Sequence, residues 1–197
     1  GRDGLGNTSR RGVVMLIALN RVRMLVGRGA GAALPADNGR FGLVDYNDLA
    51  TATTPINIVG GAAPVAIPND GAGAFTNKSF LPVGVTDVWG ASTGLFDWTE
   101  LKLGDMVDIR LDVEVTTTSP NQEVEISLEL AVGGAAYTVP FVRQQFKNAG
   151  PQTINRYNGI YLGDTNTLAN PARFRIESDA AATLKVNGWY CKILIRG

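Results

Sequence analysis

The sequence of 197 residues contains no histidine and a single cysteine, Cys191. The absence of histidine removes the most common general base and the most common metal ligand. Without histidine, a serine or cysteine catalytic triad of the usual kind cannot be built. A single cysteine also excludes a disulfide within the chain. We therefore expect a protein that is not an enzyme and that needs no cofactor and no metal.

Charged residues and long apolar runs are scarce as well. Only 18% of the residues are charged, whereas soluble domains usually contain about 25%. The longest apolar run, VVMLIAL at 13–19, is much shorter than the ~20 residues of a membrane-spanning helix, so no membrane partner is expected. Glycine is abundant, with 24 residues. This composition is typical of all-β proteins with many turns.

The formal net charge is zero, but the charges are divided unevenly along the chain. Residues 1–35 contain six arginines and one acid, and the remaining 12 basic and 17 acidic residues follow them. The first segment therefore carries +5 and the rest of the chain carries −5. A basic segment before an acidic body indicates an arm that binds an anionic partner. The alternative is that the arm docks on the acidic body of a neighbouring copy.

The composition changes near residue 40. Residues 1–40 form a basic N-terminal arm with the Gly-rich linker GRGAGAALPADNGR at 27–40. GRGAGA lacks the Lys-Ser/Thr pair of a phosphate-binding loop. From 41 to 197, short apolar runs alternate with turn sequences. Ten strands are predicted there, at 56–59, 64–67, 78–89, 105–115, 123–132, 136–146, 153–162, 172–178, 182–186 and 189–196.

About ten short strands at this spacing predict an antiparallel β-sandwich or barrel. Asn187-Gly188 lies between the last two predicted strands. Because Asn-Gly is the preferred sequence of a two-residue turn, we expect a tight hairpin there. In the last strand Trp189, Cys191 and Ile193 recur at every second position, so this set should face the core.

The stretch DMVDIRLDVEVTTTSPNQEVEISLEL, residues 105–130, contains seven carboxylates. Six of them lie on two strongly alternating strands, namely Asp108, Asp112, Glu114, Glu123, Glu125 and Glu129. Strict alternation places one side of each strand on a core and the other in water. The acids are therefore interpreted as a solvated face, in preference to a catalytic pair or a bound ion. If the two strands form a hairpin, Val115 lies opposite Val124 and Arg110 lies opposite Glu129.

Large apolar groups also occur on the predicted outer sides of two strands. Tyr190 and Leu194 are out of phase with the core set of the last strand, and Tyr161 ends the aromatic stretch YNGIYL at 157–162. Such groups on a sheet surface are explained by burial against another subunit. We therefore assign Tyr190, Leu194 and Tyr161 to a subunit interface. A covering loop of the same chain is the alternative explanation.

The stretch GLFDWTELKLGDMVDIRLDVEVTTTSPNQEVEISLEL at 94–130, with the terminal GWYCKILIRG, resembles bacteriophage virion proteins of the jelly-roll type. These are similar in layout to the trimeric tumour-necrosis-factor and C1q-like sandwiches. The resemblance covers about residues 41–197 and rests on overall pattern, without a diagnostic motif. It implies an all-β, antiparallel jelly-roll sandwich with an extended N-terminal arm. It also implies a homotrimer located in the virion, either as a head decoration or cement protein or as a fibre tip.

Three hypotheses about function follow. In the first, the jelly roll is a virion structural protein that contacts other virion proteins or neighbouring copies. Its arm would then bind the shell or a neighbour through Arg10, Arg11, Arg21, Arg23 and Arg28. In the second, the chain is an icosahedral capsid subunit whose arm touches nucleic acid. In the third, it is a glycan-binding fibre tip in which Trp89, Trp98 or Tyr161 stacks on a sugar.

Overall fold

Strands dominate the chain over residues 39–196, the part that the computed structural model describes. The elements in chain order are β1 Phe41–Asn47, α1 Ala50–Thr53, β2 Ile56–Ile58, β3 Val65–Ala66, β4 Asn77–Phe80, β5 Trp89–Gly90, β6 Leu95–Phe96, β7 Met106–Thr117, β8 Gln122–Leu130, β9 Tyr137–Phe146, β10 Gly150–Tyr161, α2 Thr165–Ala169, β11 Arg173–Ser178 and β12 Ala182–Leu194. No helix within residues 39–196 is long and apolar enough to cross a membrane.

The strands form two main sheets and one small ribbon. The larger sheet has the order β10-β7-β12-β1-β4, and β2 also pairs with β12. The smaller sheet has the order β3-β11-β8-β9, and β5 pairs with β6. All of these pairs are antiparallel.

Four pairs of strands show how the chain is wound. β1 pairs with β12, β3 with β11, β7 with β10 and β8 with β9. The pairs are nested along the chain, as in one long hairpin, because the two strands of each pair enclose the next pair in sequence. Successive pairs belong to different sheets. The larger sheet takes the first and third pairs and the smaller sheet takes the second and fourth. Eight strands wound in this way form a jelly roll, so the predicted all-β, antiparallel jelly-roll sandwich is confirmed.

The core lies between the two sheets. In β7 the buried residues are Val107, Ile109, Leu111, Val113 and Val115, which are all fully buried. Their period of two is the expected one for strands with one dry face. The centre of the core is aromatic. Phe174 is fully buried with its ring centroid 5.6 Å from that of Trp189 and 5.0 Å from that of Phe141. Cys191 is also buried, as predicted.

The predicted hairpin across residues 105–130 is wrong. β7 pairs with β10 and β12 in the larger sheet, whereas β8 pairs with β9 and β11 in the smaller sheet. The loop between β7 and β8 therefore crosses from one sheet to the other. Arg110 lies opposite Tyr157 and Tyr190, and Glu129 lies opposite Arg173 and Thr138.

The predicted turn at Asn187-Gly188 is also wrong, because β12 runs through it without a break. The pairing of β12 with β7 shifts by one residue between Val186 and Gly188, which is a β-bulge. Gly188 has a φ of 154°, and a Cβ atom at this position would lie 2.5 Å from the carbonyl oxygen of Tyr46. The glycine thus permits a bulge and a close backbone approach instead of a hairpin.

β1 was not among the predicted strands. Its sequence, FGLVDYN, has alternating burial, with Val44 and Tyr46 in the core. It pairs with β12 over its full length. The two short helices were also missed, since four or five residues are too few to show helical periodicity.

Candidate interaction surface

An apolar row crosses the outer face of the larger sheet at one end. Tyr161 of β10 lies opposite Met106 of β7, Met106 lies opposite Leu194 of β12, and Leu194 lies opposite Phe41 of β1. Tyr161 is 62% exposed, and Met106 and Phe41 are close to 40% exposed, at 38% and 39%. Leu194 is partly exposed. We call these four residues the apolar row.

Buried Asp105 holds the strand ends that carry this row. One oxygen of its carboxylate accepts a hydrogen bond from the backbone N–H of Arg196 (2.7 Å), and the other accepts one from the backbone N–H of Lys102 (2.7 Å). Its backbone carbonyl accepts a hydrogen bond from the N–H of Leu162 (3.0 Å). These bonds join the ends of β7, β10 and β12. As a result Met106, Leu194 and Tyr161 are presented side by side.

The neighbouring positions on the same face are charged and polar. Lys192 lies 3.8 Å from Asp108, and the hydroxyl of Tyr157 donates a 2.8 Å hydrogen bond to the same carboxylate. Burial and this hydrogen bond raise the pKa of Tyr157 to about 12, so the phenol stays protonated at neutral pH. The guanidinium group of Arg110 lies 5.4 Å from the ring centroid of Tyr190. The apolar row therefore has a polar border.

The outer face of the smaller sheet has a different character, because ion pairs cover it. Arg173 lies 2.7 Å and Arg175 lies 3.3 Å from the carboxylate of Glu129. Arg143 lies 2.6 Å from Glu123 and 3.8 Å from Glu125. Burying such a face against another protein would remove water from many charged groups, which is costly. The apolar row on the opposite sheet is consequently the stronger candidate for a protein interface.

The six carboxylates of β7 and β8 lie on these outer faces, as predicted, and each forms an ion pair. On β7, Asp108 pairs with Lys192, Asp112 with Arg110, and Glu114 with Lys185. On β8, Glu123 and Glu125 pair with Arg143, and Glu129 pairs with Arg173. Two sheets carry the six acids, so they form no single cluster. Within the described chain, no group of three or more acids or thiols is arranged to hold a metal ion.

The three predicted interface residues lie on one face. Leu194 and Tyr161 belong to the apolar row, and Tyr190 lies two positions before Lys192 on the same side of β12. The prediction missed Met106 and Phe41, which complete the row. Met106 could have been found, because it is out of phase with the core residues of its strand. The same signal identified Leu194.

Two of the proposed sugar-stacking residues are placed where no sugar can reach them. Trp98 is fully buried and Trp89 is 2% exposed. The ring of Trp89 packs edge-on against that of Trp189, with 4.5 Å between centroids, and its indole N–H donates to the carbonyl oxygen of Asn69 (3.0 Å). Both tryptophans build the core. Of the three candidates, Tyr161 alone is at the surface.

The predicted arm contacts lie outside the described residues. These are Arg10, Arg11, Arg21, Arg23 and Arg28.

Taken together, the fold and this surface define a jelly-roll sandwich with an apolar row at one end of the larger sheet's outer face and ion pairs across the outer face of the smaller sheet. No protein-family model and no curated protein matches the sequence. A solved structure of infectious bursal disease virus, Gx strain, matches over 80% of this chain with 10% identity and a TM-score of 0.42. The match spans 33% of that solved chain, so this protein corresponds to a third of its length.

Proposed function

We propose that this protein is a non-enzymatic structural protein of a virion that packs against other protein subunits through the apolar row. The single observation that carries the proposal is the continuity of that row across four strands. Four large side chains in register form a patch, whereas isolated exposed apolar residues are ordinary. The apolar row supports the packing against other subunits, and the virion is what the resemblance of residues 41–197 to jelly-roll virion proteins implies. The likeness to the bursal disease virus structure supports neither statement.

The physical mechanism is burial of apolar area against a neighbour. Burial contributes roughly 25 cal/mol per Å² of apolar surface, and symmetry repeats the same contact around an assembly. The polar border formed by Lys192, Asp108 and Arg110 then limits how the neighbour can be oriented, because a misplaced partner would bury these charges or bring a like charge against them. A surface of this kind serves permanent association better than turnover of a substrate.

The more specific proposal is a bacteriophage head decoration or cement protein that forms a homotrimer. Its basic N-terminal arm would attach it to the shell or to a neighbouring copy, through the five arginines named above. An extended arm can add main-chain hydrogen bonds and apolar contacts at a seam between capsomers. Repetition on a symmetric particle then multiplies a weak contact into stable attachment.

The arm is tested by particle attachment of the full-length chain. A variant in which the five arginines are replaced by glutamine should no longer sediment with particles, while the matched lysine variant, which keeps the charge, should still attach. Deleting residues 1–35 should have the same effect as glutamine and leave the body folded by circular dichroism. Attachment of the glutamine variant at the wild-type level would show that the arm does not hold the protein. A cryo-electron microscopy map of the particle would place each copy.

A glycan-binding tip is the second candidate, and the 62% exposure of Tyr161 favours it. A ring this exposed can stack on a sugar face. A glycan array with wild-type protein and a Tyr161→Ala variant tests this function. Binding that is lost in the variant would favour a tip over a cement protein.

The remaining candidate is a capsid subunit with a nucleic-acid-facing arm. Its test is affinity for DNA or RNA that falls steeply with salt.

A further inference from the structure

Asp45 differs from the other acids on the outer face of the larger sheet. It lies on β1, beside Tyr190 of β12. Each of the six carboxylates of β7 and β8 forms an ion pair. Within residues 39–196, no lysine or arginine forms an ion pair with Asp45, and its carboxylate accepts no hydrogen bond from another described residue. Asp45 is therefore an acid whose partner is not found in the described body.

Asp45 lines an open cleft. Its lining combines three aromatic rings and an aliphatic side chain with two polar groups, namely Phe75, Phe80, Tyr190, Leu43, Asp45 and Asn77. Phe80 lies opposite Leu43, and Asn77 lies opposite Asp45, on the neighbouring strands β4 and β1. The volume is about 330 Å³, at the lower end of the range of small-ligand pockets, so it suits one side chain. We call this site the aromatic cleft.

The aromatic cleft is open, and its rings are available. Phe75 is 80% exposed and Phe80 is 65% exposed. Phe75 lies outside the strands, and Phe80 ends the edge strand β4, which is exposed at all four residues. Exposed aromatic rings grouped in one place are unfavourable in water, and a partner that covers them removes this cost.

The electrostatics of the cleft favour a cation. Burial raises the pKa of the Asp45 carboxyl; nearby Arg110 opposes this rise and Asp112 adds to it. Arg110 lies at the side of the cleft, where its guanidinium is 3.4 Å from the carboxylate of Asp112 and against the ring of Tyr190, and it forms no ion pair with Asp45. A second cation, supplied by a partner, would offset the remaining desolvation of this partly buried negative charge.

We propose that the aromatic cleft binds the guanidinium group of an arginine side chain on a partner protein. A guanidinium is planar, so it can donate two hydrogen bonds to the Asp45 carboxylate and stack on the ring of Phe75 or Phe80. The side-chain oxygen of Asn77 accepts a hydrogen bond from the backbone N–H of Ser79 (2.9 Å), and its second lone pair offers a further acceptor. This inference rests on the proposed function, because it names the chemistry of the partner surface that meets the outer face of the larger sheet.

The test is an NMR titration of the full-length protein with Nα-acetyl-arginine methylamide. The backbone amides of Asp45, Asn77 and Tyr190 should shift and saturate at millimolar concentrations of the probe. Asp45→Asn should weaken binding at least tenfold. The matched control, Glu114→Gln, removes one carboxylate charge from the same face outside the cleft and should change the affinity less than twofold.

Two further probes make the result decisive. The citrulline analogue has the same shape without the charge and should bind at least tenfold more weakly. If it binds as well as the arginine probe, or if the arginine probe shifts none of the three amides, the proposal is wrong. Shifts produced by methyl α-glucoside alone would also overturn it and make the cleft a sugar site.

This outcome is separable from that of the proposed function. Assembly is measured by molar mass and depends on the apolar row, whereas the titration reports on the cleft. If the protein assembles normally but shows no amide shifts with the arginine probe, only this inference is wrong.

Discussion

Met106 and Leu194 lie opposite each other on neighbouring strands, β7 and β12, with Tyr161 beyond Met106 and Phe41 beyond Leu194. The pair stands at the centre of the apolar row. A charge placed at the centre of a buried patch cannot reach water, so it weakens association strongly.

Leu194→Lys should therefore weaken self-association at least tenfold without unfolding the protein. Thr183→Lys is the control, because Thr183 lies on the same strand and face but at the other end of β12, opposite Thr116. Size-exclusion chromatography with light scattering measures the molar mass of both variants. An unchanged mass for Leu194→Lys would remove the apolar row from the self-association interface.

Phe174 provides a test of the core. It is fully buried and its ring lies 5.6 Å, between centroids, from both Phe96 and Trp189. Phe174→Ala should lower the free energy of unfolding by about 3–5 kcal/mol, because the truncation leaves a cavity. Phe75→Ala removes the same atoms from a ring that is 80% exposed and should cost less than about 0.5 kcal/mol. Urea denaturation compares the two, and equal losses would contradict the assigned core.

The bulge in β12 gives a third prediction. Gly188→Ala should lower the free energy of unfolding by about 3 kcal/mol, because the added methyl group would clash with the backbone of Tyr46. The φ angle at this position is also unfavourable for alanine. Gly61→Ala has the positive φ of 67° without any atom within 4 Å of the added Cβ, so about 1 kcal/mol is expected. Thermal or urea unfolding measures the difference. A Gly188→Ala protein as stable as Gly61→Ala would mean that β12 does not approach β1 so closely.

Glu129 makes stability depend on pH. The hydrogen bond from Arg173 lowers the pKa of Glu129 below its ordinary value of 4.5; burial opposes this, and the charges of Arg173 and Arg175 add to the lowering. The ionised group therefore stabilises the fold above pH 4.5, and this contribution is lost as the pH falls through the lower, folded-state pKa.

Glu129→Gln should cost about 1–2 kcal/mol at pH 7, and the difference from wild type should disappear in acid. Glu177→Gln, on the outer face of the neighbouring strand β11, serves as the control because Glu177 forms no ion pair with another described residue. Urea unfolding at a series of pH values measures both. A cost of Glu129→Gln that stays constant down to pH 3 would exclude this charge as the cause.

Much of the surface could be predicted from the sequence. The alternation in β7 and β8 correctly predicted which side chains face the core and that the six acids lie outside. The same phase argument identified Tyr190 and Leu194 as outward apolar groups, and the aromatic stretch at 157–162 identified Tyr161. It missed the aromatic cleft, because Phe75, Asp45 and Tyr190 are brought together from three separate segments.

The sequence by itself determined the class of fold and the buried side of the strongly alternating strands β7 and β8 and of the end of β12, because a period of two follows from the geometry of a single strand. It did not determine the partners of the strands, since alternation is the same whichever strand lies alongside. Only the tertiary structure decided that β7 leaves β8 and pairs with β10 and β12, and that Glu129 meets Arg173 instead of Arg110. The physical reason is that packing across the core, over long separations in the chain, selects the pairing that buries every apolar face at once.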